Sequence, residues 1–335
     1  MAYQIWNRRY TGSKLKLANW ISDLISENCI GSSFCDIFAG TAVISKQMID
    51  LVDDIYINDF LFSNEIIYKA FFEQQCFDAE KLERIKEYFN NLNVSSLCSN
   101  YVSENFAGKF FSKNDALIIG YIRNYIEDNQ DLNDKEKNIL IASLLYSADK
   151  VANTVGHYDA YIKRKEIPDA FSFDLISPYQ YQDKTIHIFR KDANQLAKEI
   201  YSDIVYIDPP YNSRQYSRFY HILENLTTWC KPKLYGEARK PEPENMSEYC
   251  RNSATIVFED LILSLKCKYI VVSYNNTYNS KSSSSKNKIT LEDIKRILEK
   301  KGSVMTFEKS HQFFNAGKTS LNDHKELIFI TKVGE

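Results

Sequence analysis

The run Ile204-Val205-Tyr206-Ile207 is apolar throughout and stops at Asp208-Pro209-Pro210-Tyr211, and this junction constrains the chain more than any other. Neither proline has a backbone N–H and each has its φ fixed, so the apolar run ends here and a stiff turn follows. The turn's carbonyls stay free to accept hydrogen bonds. A carboxylate, two rigid carbonyls and an aromatic ring around one point form a site for a planar amino group. Taken alone, the same four residues also read as a plain turn.

Upstream, Phe34-Cys35-Asp36-Ile37-Phe38-Ala39-Gly40-Thr41-Ala42 predicts a buried strand, a tight turn at Gly40 and a helix from about 43 to 51. This is the usual opening of a nucleotide-type α/β unit. It is not the dinucleotide fingerprint, because one glycine stands where G-x-G-x-x-G needs three. A second strand over residues 55–57 ends in Asn58-Asp59 about twenty residues after the first, where an acidic side chain can accept both hydroxyls of a ribose. Asp59 also reads as the N-cap of the helix that follows.

Strand-like runs gather at the two ends of the chain and helix-like runs fill the middle. Apolar spacing predicts helices over residues 15–25, 65–77, 79–92, 114–127 and 134–153. Strands resume over 185–189, 204–207, 269–273, 303–307 and 326–332, the last two as a closing hairpin. The expected architecture is an α/β doubly wound sheet built from 1–64 and 185–335, with a mainly helical insertion at 65–184. In such a sheet Gly40, Asp59 and Asp208 converge beyond the carboxyl ends of the strands. Residues 279–288, with four serines in a row and several lysines, and residues 231–251, rich in proline and charge, read as loops.

Four motifs, in their order and spacing, resemble the Dam-type alpha group of S-adenosylmethionine-dependent DNA adenine-N6 methyltransferases. They are Tyr10-Thr11-Gly12-Ser13-Lys14, Asp36 to Ala42, Asn58-Asp59 and Asp208-Pro209-Pro210-Tyr211. The likeness is closer still to the modification methyltransferases that accompany type IIS restriction enzymes such as FokI. It rests there on Ser147-Ala148-Asp149-Lys150-Val151-Ala152-Asn153-Thr154, on Asp208 through Tyr216, and on Val272-Ser273-Tyr274-Asn275-Asn276. The resemblance runs from about residue 6 to 330. One departure is visible: Ala42 stands where the family's cofactor loop usually has a second glycine, which implies a tighter fit rather than a lost site.

The resemblance implies a Rossmann-like class I methyltransferase sheet with an inserted helical DNA-recognition domain. It implies S-adenosylmethionine as cofactor, double-stranded DNA as substrate, and a restriction endonuclease as a cognate partner. Asp36, Phe38, Ala39 and Gly40 are expected to hold the methionine portion, Asp59 the ribose and Asp192 the adenine amino group. Asp192 also reads as the cap of a helix over 193–200. Tyr10 is expected beside the sulfonium, and Lys14 reaching toward the cofactor or the target base. A solvated lysine at a helix start is the plain alternative for Lys14. Asp208 and the Pro209 carbonyl, with Pro210 stiffening the turn, are expected to grip the adenine amine while Tyr211 stacks on the flipped base. Arg214, Gln215, Tyr216 and Arg218 follow the tetrapeptide and are expected to face DNA. Asn153, His157, Lys163 and Arg164 form a second candidate contact. His157 and His221 also read as packed, hydrogen-bonded histidines.

Bulk properties agree without deciding anything. A chain of 335 residues with a formal net charge of −2 can bury a sizeable core, but any basic face for nucleic acid must be local. The seven cysteines form no C-x-x-C pair, so no structural metal is expected and a reducing cytoplasm is. No signal peptide or membrane span is expected either. Alternative readings are an RNA adenine methyltransferase, a cytosine-N4 enzyme, an idle DNA-binding module of the same fold, and a dinucleotide oxidoreductase. Asp at position 208 disfavours the cytosine enzyme, the intact tetrapeptide the idle module and the missing glycines the oxidoreductase.

Overall fold

The computed structural model describes residues 2–276, 286–310 and 325–334. Within them the chain divides into two compact units. One comprises the described part of Met1–Gly12, Leu61–Gln182 and Tyr216–Glu244; the other comprises Ser13–Phe60, Asp183–Gln215 and the described part of Asn245–Glu335. The helical unit therefore also includes three segments, 1–12, 61–64 and 216–244, that the strand and helix pattern grouped with the sheet. They pack on one another: the Tyr10 ring stacks on Tyr220 with centroids 4.9 Å apart, and the Glu224 carboxylate accepts the Phe62 and Ser63 N–H groups at 3.0 and 2.8 Å.

The sheet unit holds seven strands: β1 (Ser33–Asp36), β2 (Asp54–Asn58), β3 (Thr185–Phe189), β4 (Ile204–Ile207), β5 (Tyr269–Asn275), β6 (Gly302–Ser310) and β7 (Lys325–Val333). Their order is β3-β2-β1-β4-β5-β7-β6, with β7 alone antiparallel to its neighbours. All seven expected strands are present, and the expected hairpin is the β6–β7 pair. The central strands β1, β4 and β5 are buried along their whole length, as parallel strands covered on both faces must be. Edge strand β6 is mostly exposed and carries Glu308 and Lys309, charges that discourage pairing with a further strand.

On one face Cys35, Val205, Ile207, Ile270 and Val272 pack against helices Ala193–Glu199, Ala254–Ser264 and Leu291–Leu298. Each such side chain contributes about 1.5–3 kcal/mol by leaving water. The last two helices were not predicted. Ala254–Ser264 is apolar almost all round, so no helical stripe shows in its sequence. Residues 279–285 of the expected serine-rich loop lie outside the described residues.

The helical unit explains much of the aromatic content. Phe71, Phe72, Phe106, Phe110, Tyr146 and Tyr158 are all fully buried there. The buried Tyr146 hydroxyl is satisfied by the Ile5 carbonyl at 2.6 Å. Helix Lys113–Asp128 passes the N-cap of helix Tyr101–Phe106 at Gly120, where an added Cβ would lie 1.9 Å from Asn100 Oδ1. Asn100 cannot yield, because Oδ1 accepts from Val102 and Ser103 while Nδ2 donates to the Leu117 carbonyl at 2.9 Å. Gly120→Ala gains about 1 kcal/mol of helix propensity. It loses more, through the cap and overpacking, for a net destabilisation of about 1–3 kcal/mol. Urea melts followed by circular dichroism check this; an unchanged midpoint contradicts it.

Candidate active site

Strand order reverses between β1 and β4, and in open α/β sheets that is where ligands bind, beyond the carboxyl ends. The parallel register sets Asp36 opposite Tyr206, so Asp208 follows two residues further on the same edge. Asn58, buried at the end of β2, laces the neighbouring ends together. Its Nδ2 donates to the Ile37 and Lys191 carbonyls at 2.9 and 3.1 Å, and its Oδ1 accepts from the Lys191 N–H at 3.0 Å.

The turn after β1 is fixed from both sides. Gly40 has φ +53°, and its N–H donates to Asp59 Oδ2 at 2.9 Å. Asp59 is thus not the cap of the next helix, whose N-cap is Leu61. Ala42 is fully buried with φ +54°, a left-handed conformation that costs a side chain about 1–2 kcal/mol. Phe38 lies edge-on to Tyr249 at 5.0 Å.

Asp36 Oδ2 accepts the Ser45 hydroxyl at 2.7 Å, while Oδ1 is buried with no hydrogen-bond partner among the described residues. Burial, with Asp208 and Asp59 nearby, pushes its pKa up to about 7 even though the Ser45 bond pulls the other way. An unmet buried acceptor of this kind fits a ligand's cationic donor. Asp192 caps helix Ala193–Glu199 by accepting the Asn194 and Gln195 N–H groups at 3.0 and 3.2 Å, both on Oδ1. The plain reading of Asp192 therefore holds, and Oδ2 makes no hydrogen bond among the described residues.

Around Asp208 the structure gathers residues that are far apart in the chain. Lys14 is only 6% exposed, which rules out the solvated alternative. Its Nζ lies 2.7 Å from Glu326 Oε1, 3.3 Å from Asp208 Oδ1 and 2.5 Å from the Tyr211 hydroxyl. The Tyr211 hydroxyl donates to Asp208 Oδ1 and lies 3.2 Å from Glu326 Oε1. Ser273 donates to that same Glu326 oxygen at 2.8 Å. Burial draws the Lys14 ammonium down, but the two carboxylates outweigh it and hold its pKa above the ordinary value. Burial also raises Asp208, against Lys14 and with Glu326, to about 6. Its Oδ2 makes no hydrogen bond among the described residues, nor do the Pro209 and Pro210 carbonyls. The site therefore presents acceptors on a rigid turn. Sequence reading missed Glu326 and Ser273; the only signal was an acid opening the apolar run 327–330 and a serine within β5.

Residues 10–289 match the D12 class of N6 adenine-specific DNA methyltransferases. The chain belongs to that family. It is 31% identical over 332 residues to the Type II methyltransferase M.NlaIII of Neisseria lactamica, covering 94% of this chain and 95% of that protein. The Type II methyltransferase M.CviAII of Paramecium bursaria Chlorella virus 1 is 29% identical, covering 97% and 98%. The Type II methyltransferase M.FokI of Planomicrobium okeanokoites is 30% identical over 89% of this chain, which spans 48% of that longer protein. This chain is thus an adenine-specific DNA methyltransferase, and the four sequence motifs lie in a protein of the family they resembled.

Other residues singled out in the methyltransferase's sequence fall into two groups. Several are spent on structure. Gln215 is 9% exposed and pairs both ends of its amide with the Ser247 backbone, at 2.9 and 2.7 Å. Asn153 is buried and donates to the Lys109 and Ile162 carbonyls at 2.9 and 2.7 Å. Tyr216 donates to the Thr11 carbonyl at 3.0 Å, and Arg218 donates to the Pro241 carbonyl. His221 is buried between the Arg218 and Ala238 carbonyls, and burial pushes its pKa down to about 4. Others lie nearer solvent: Lys163 and Arg164 are exposed, Arg214 is half-buried, and His157 stacks on Phe219 at 4.6 Å. No metal-holding group of His, Cys, Asp or Glu occurs among the described residues, and no described helix is long and apolar enough to cross a membrane.

An ionised Asp208 is the better acceptor, so methyl transfer should fall as pH drops through about 6. Single-turnover rates across pH 5 to 8 check this; a limb below about 4.5 contradicts it.

Proposed function

We propose that the protein uses S-adenosylmethionine to methylate adenine N6 within a specific duplex DNA sequence, as the modification enzyme of a restriction-modification system. The observation that carries this reading is that Asp208 Oδ2 and the neighbouring Pro209 carbonyl are uncommitted among the described residues, on a turn stiffened by two prolines. These acceptors match the two N–H groups of one exocyclic amine.

Bound S-adenosylmethionine supplies an electrophilic methyl group. The protein's part is to hold the amine and to stabilise the positive charge that builds on it. Adenine N6 is a weak nucleophile because its lone pair is delocalised into the ring. Asp208 Oδ2 and the Pro209 carbonyl, by accepting both N–H bonds, turn the lone pair out of the ring plane and toward the methyl group. The charge that develops then sits against a carboxylate in a poorly solvated site, where fixed electrostatics weigh most. An extruded base is needed because N6 is stacked inside a duplex, and Tyr211 offers the ring on which it rests.

The cofactor's polar groups have candidate partners on the same edge of the sheet. Asp36 Oδ1 is an unmet acceptor suited to an ammonium, and Asp59, on the loop after β2, suits ribose hydroxyls. Asp192 Oδ2 suits an adenine amine. The helical unit is assigned to target recognition, with the exposed Lys163 and Arg164 and the half-buried Arg214 as DNA contacts. The full-length relatives' names, as Type II methyltransferases, support a cognate endonuclease.

Asp208→Ala should abolish transfer while cofactor affinity, read by calorimetry, stays within about tenfold; near-normal transfer removes Asp208 from the reaction. Asp59→Ala should weaken cofactor binding by about tenfold or more and alter saturated turnover far less, and an unchanged dissociation constant removes it from the ribose role. Sequencing of plasmid DNA after incubation reports which atom is methylated and in which sequence.

A further inference from the structure

The carboxylate of Glu326 is not among the groups assigned above to the amine or the cofactor, yet it is among the most constrained in the sheet unit. It is 3% exposed, at the start of β7, and a single oxygen, Oε1, collects Ser273 at 2.8 Å, Lys14 at 2.7 Å and Tyr211 at 3.2 Å. Lys14 and Tyr211 are also the two donors that fix Asp208 Oδ1. Each donor thus spans both carboxylates.

We propose that Glu326 is a positioning residue for methyl transfer, which holds Lys14 and Tyr211 against Asp208 and cancels the Lys14 charge beside the reacting amine. The inference rests on the assignment of Asp208 to the amine. Positive charge builds on that amine during transfer, and a lysine ammonium 3.3 Å from Asp208 opposes it. With Glu326 ionised, the three charged groups sum to one negative charge, which favours the developing cation. Without it they sum to zero, while Lys14 still occupies Asp208. Lys14 cannot simply be swung into water, because it is buried and its hydrocarbon stem is packed. A buried cation deprived of one partner loads the other more heavily.

Glu326→Gln keeps the size of the side chain and its bond from Ser273 but removes the charge. The expected result is a single-turnover rate about ten- to a hundredfold lower, as one charge a few ångströms away can produce. Cofactor affinity should be unchanged within about threefold. The acidic limb of the pH–rate profile should move to lower pH, since Asp208 keeps Lys14 and loses the carboxylate that opposed it; Asp36, the other charged neighbour, is unchanged, and the surrounding Tyr206, Tyr211 and Tyr274 hydroxyls stay neutral. A role in folding alone lowers the rate and leaves that limb in place.

The assay uses the full chain, methyl-tritiated S-adenosylmethionine and unmethylated genomic DNA. A second variant, Lys14→Met with Glu326→Gln, restores the single negative charge. It should carry the limb back up from its position in Glu326→Gln, to or above the original pH, because Lys14 is the neighbour that lowers Asp208 most. Should the single variant fail to fold, the double variant decides: a limb at or above the original pH supports the proposal, and one below it overturns it. A wild-type rate and profile for Glu326→Gln, or a slow rate with an unmoved limb, also overturns it. Asp208→Asn run in parallel separates the two readings. If it transfers normally, the assignment of Asp208 fails; if it is inactive while Glu326→Gln behaves as wild type, only the role of Glu326 fails.

Discussion

The parallel pairing of β1 with β4 is the constraint on which the site depends. Strand order reverses there, so the loops after the two strands diverge to opposite faces and leave a gap at the edge. Asp36 and Asp208 flank that gap because each stands at or just past the end of its strand. The pairing is secured from below by residues with no chemical role, Phe34 and Tyr206 on one face and Cys35 and Val205 on the other, all buried. Asn58 then fixes the adjoining ends of β1, β2 and β3 through three hydrogen bonds, so that a one-residue slip in any of them would break the set. Precision at the edge is therefore inherited from the register of the sheet.

How much of this was legible in the sequence depends on whether the signal was local. The turn after β4 was legible because proline removes donors and fixes φ wherever it stands. The strands were legible because a buried parallel strand must be apolar along its length. Asp59 was placed correctly at the end of β2, but its bond to the Gly40 N–H depends on a loop 19 positions away in sequence. Glu326 was not legible at all. Its meaning lies in Lys14, Tyr211 and Ser273, three residues on three other segments, and nothing beside it in sequence marks it as paired. Gln215 and Asn153 show the converse. Amide side chains beside a catalytic motif have the geometry for bases, but the same geometry suits backbone, and here the Ser247 backbone and the Lys109 and Ile162 carbonyls take them.

Polarity in the site comes at a cost that apolar packing would avoid. A buried lysine shared by two carboxylates recovers its desolvation only when every donor and acceptor is well placed, and an apolar set of similar volume is often as stable or more so. The proposed role in the reaction, rather than stability, accounts for the arrangement. Oδ1 of Asp208 is committed to Lys14 and Tyr211, which fixes the plane of the carboxylate and leaves Oδ2 as the acceptor that the proposed reading gives to the substrate. An isolated aspartate on the same turn could rotate and would meet the amine in many orientations. Preorganisation of this kind shifts the cost of ordering from the transition state to the folded protein.

The same groups give the fold an opposed pair of pH dependences. Asp36 and Asp208 have folded pKa values of about 7 and about 6, above their unfolded values, so the folded state holds more protons than the unfolded one from about pH 4 upward. Stability from these groups is greatest at low pH and is lost as pH rises through 6 to 7. His221 runs the other way. Buried neutral with a pKa of about 4, it is charged only in the unfolded chain between about pH 4 and 6.5, so its contribution grows with pH over that range. The two effects oppose each other over the same window and blunt the dependence of folding on pH. Methyl transfer has no such compensation on the proposed reading, because His221 lies outside the charged set around Asp208.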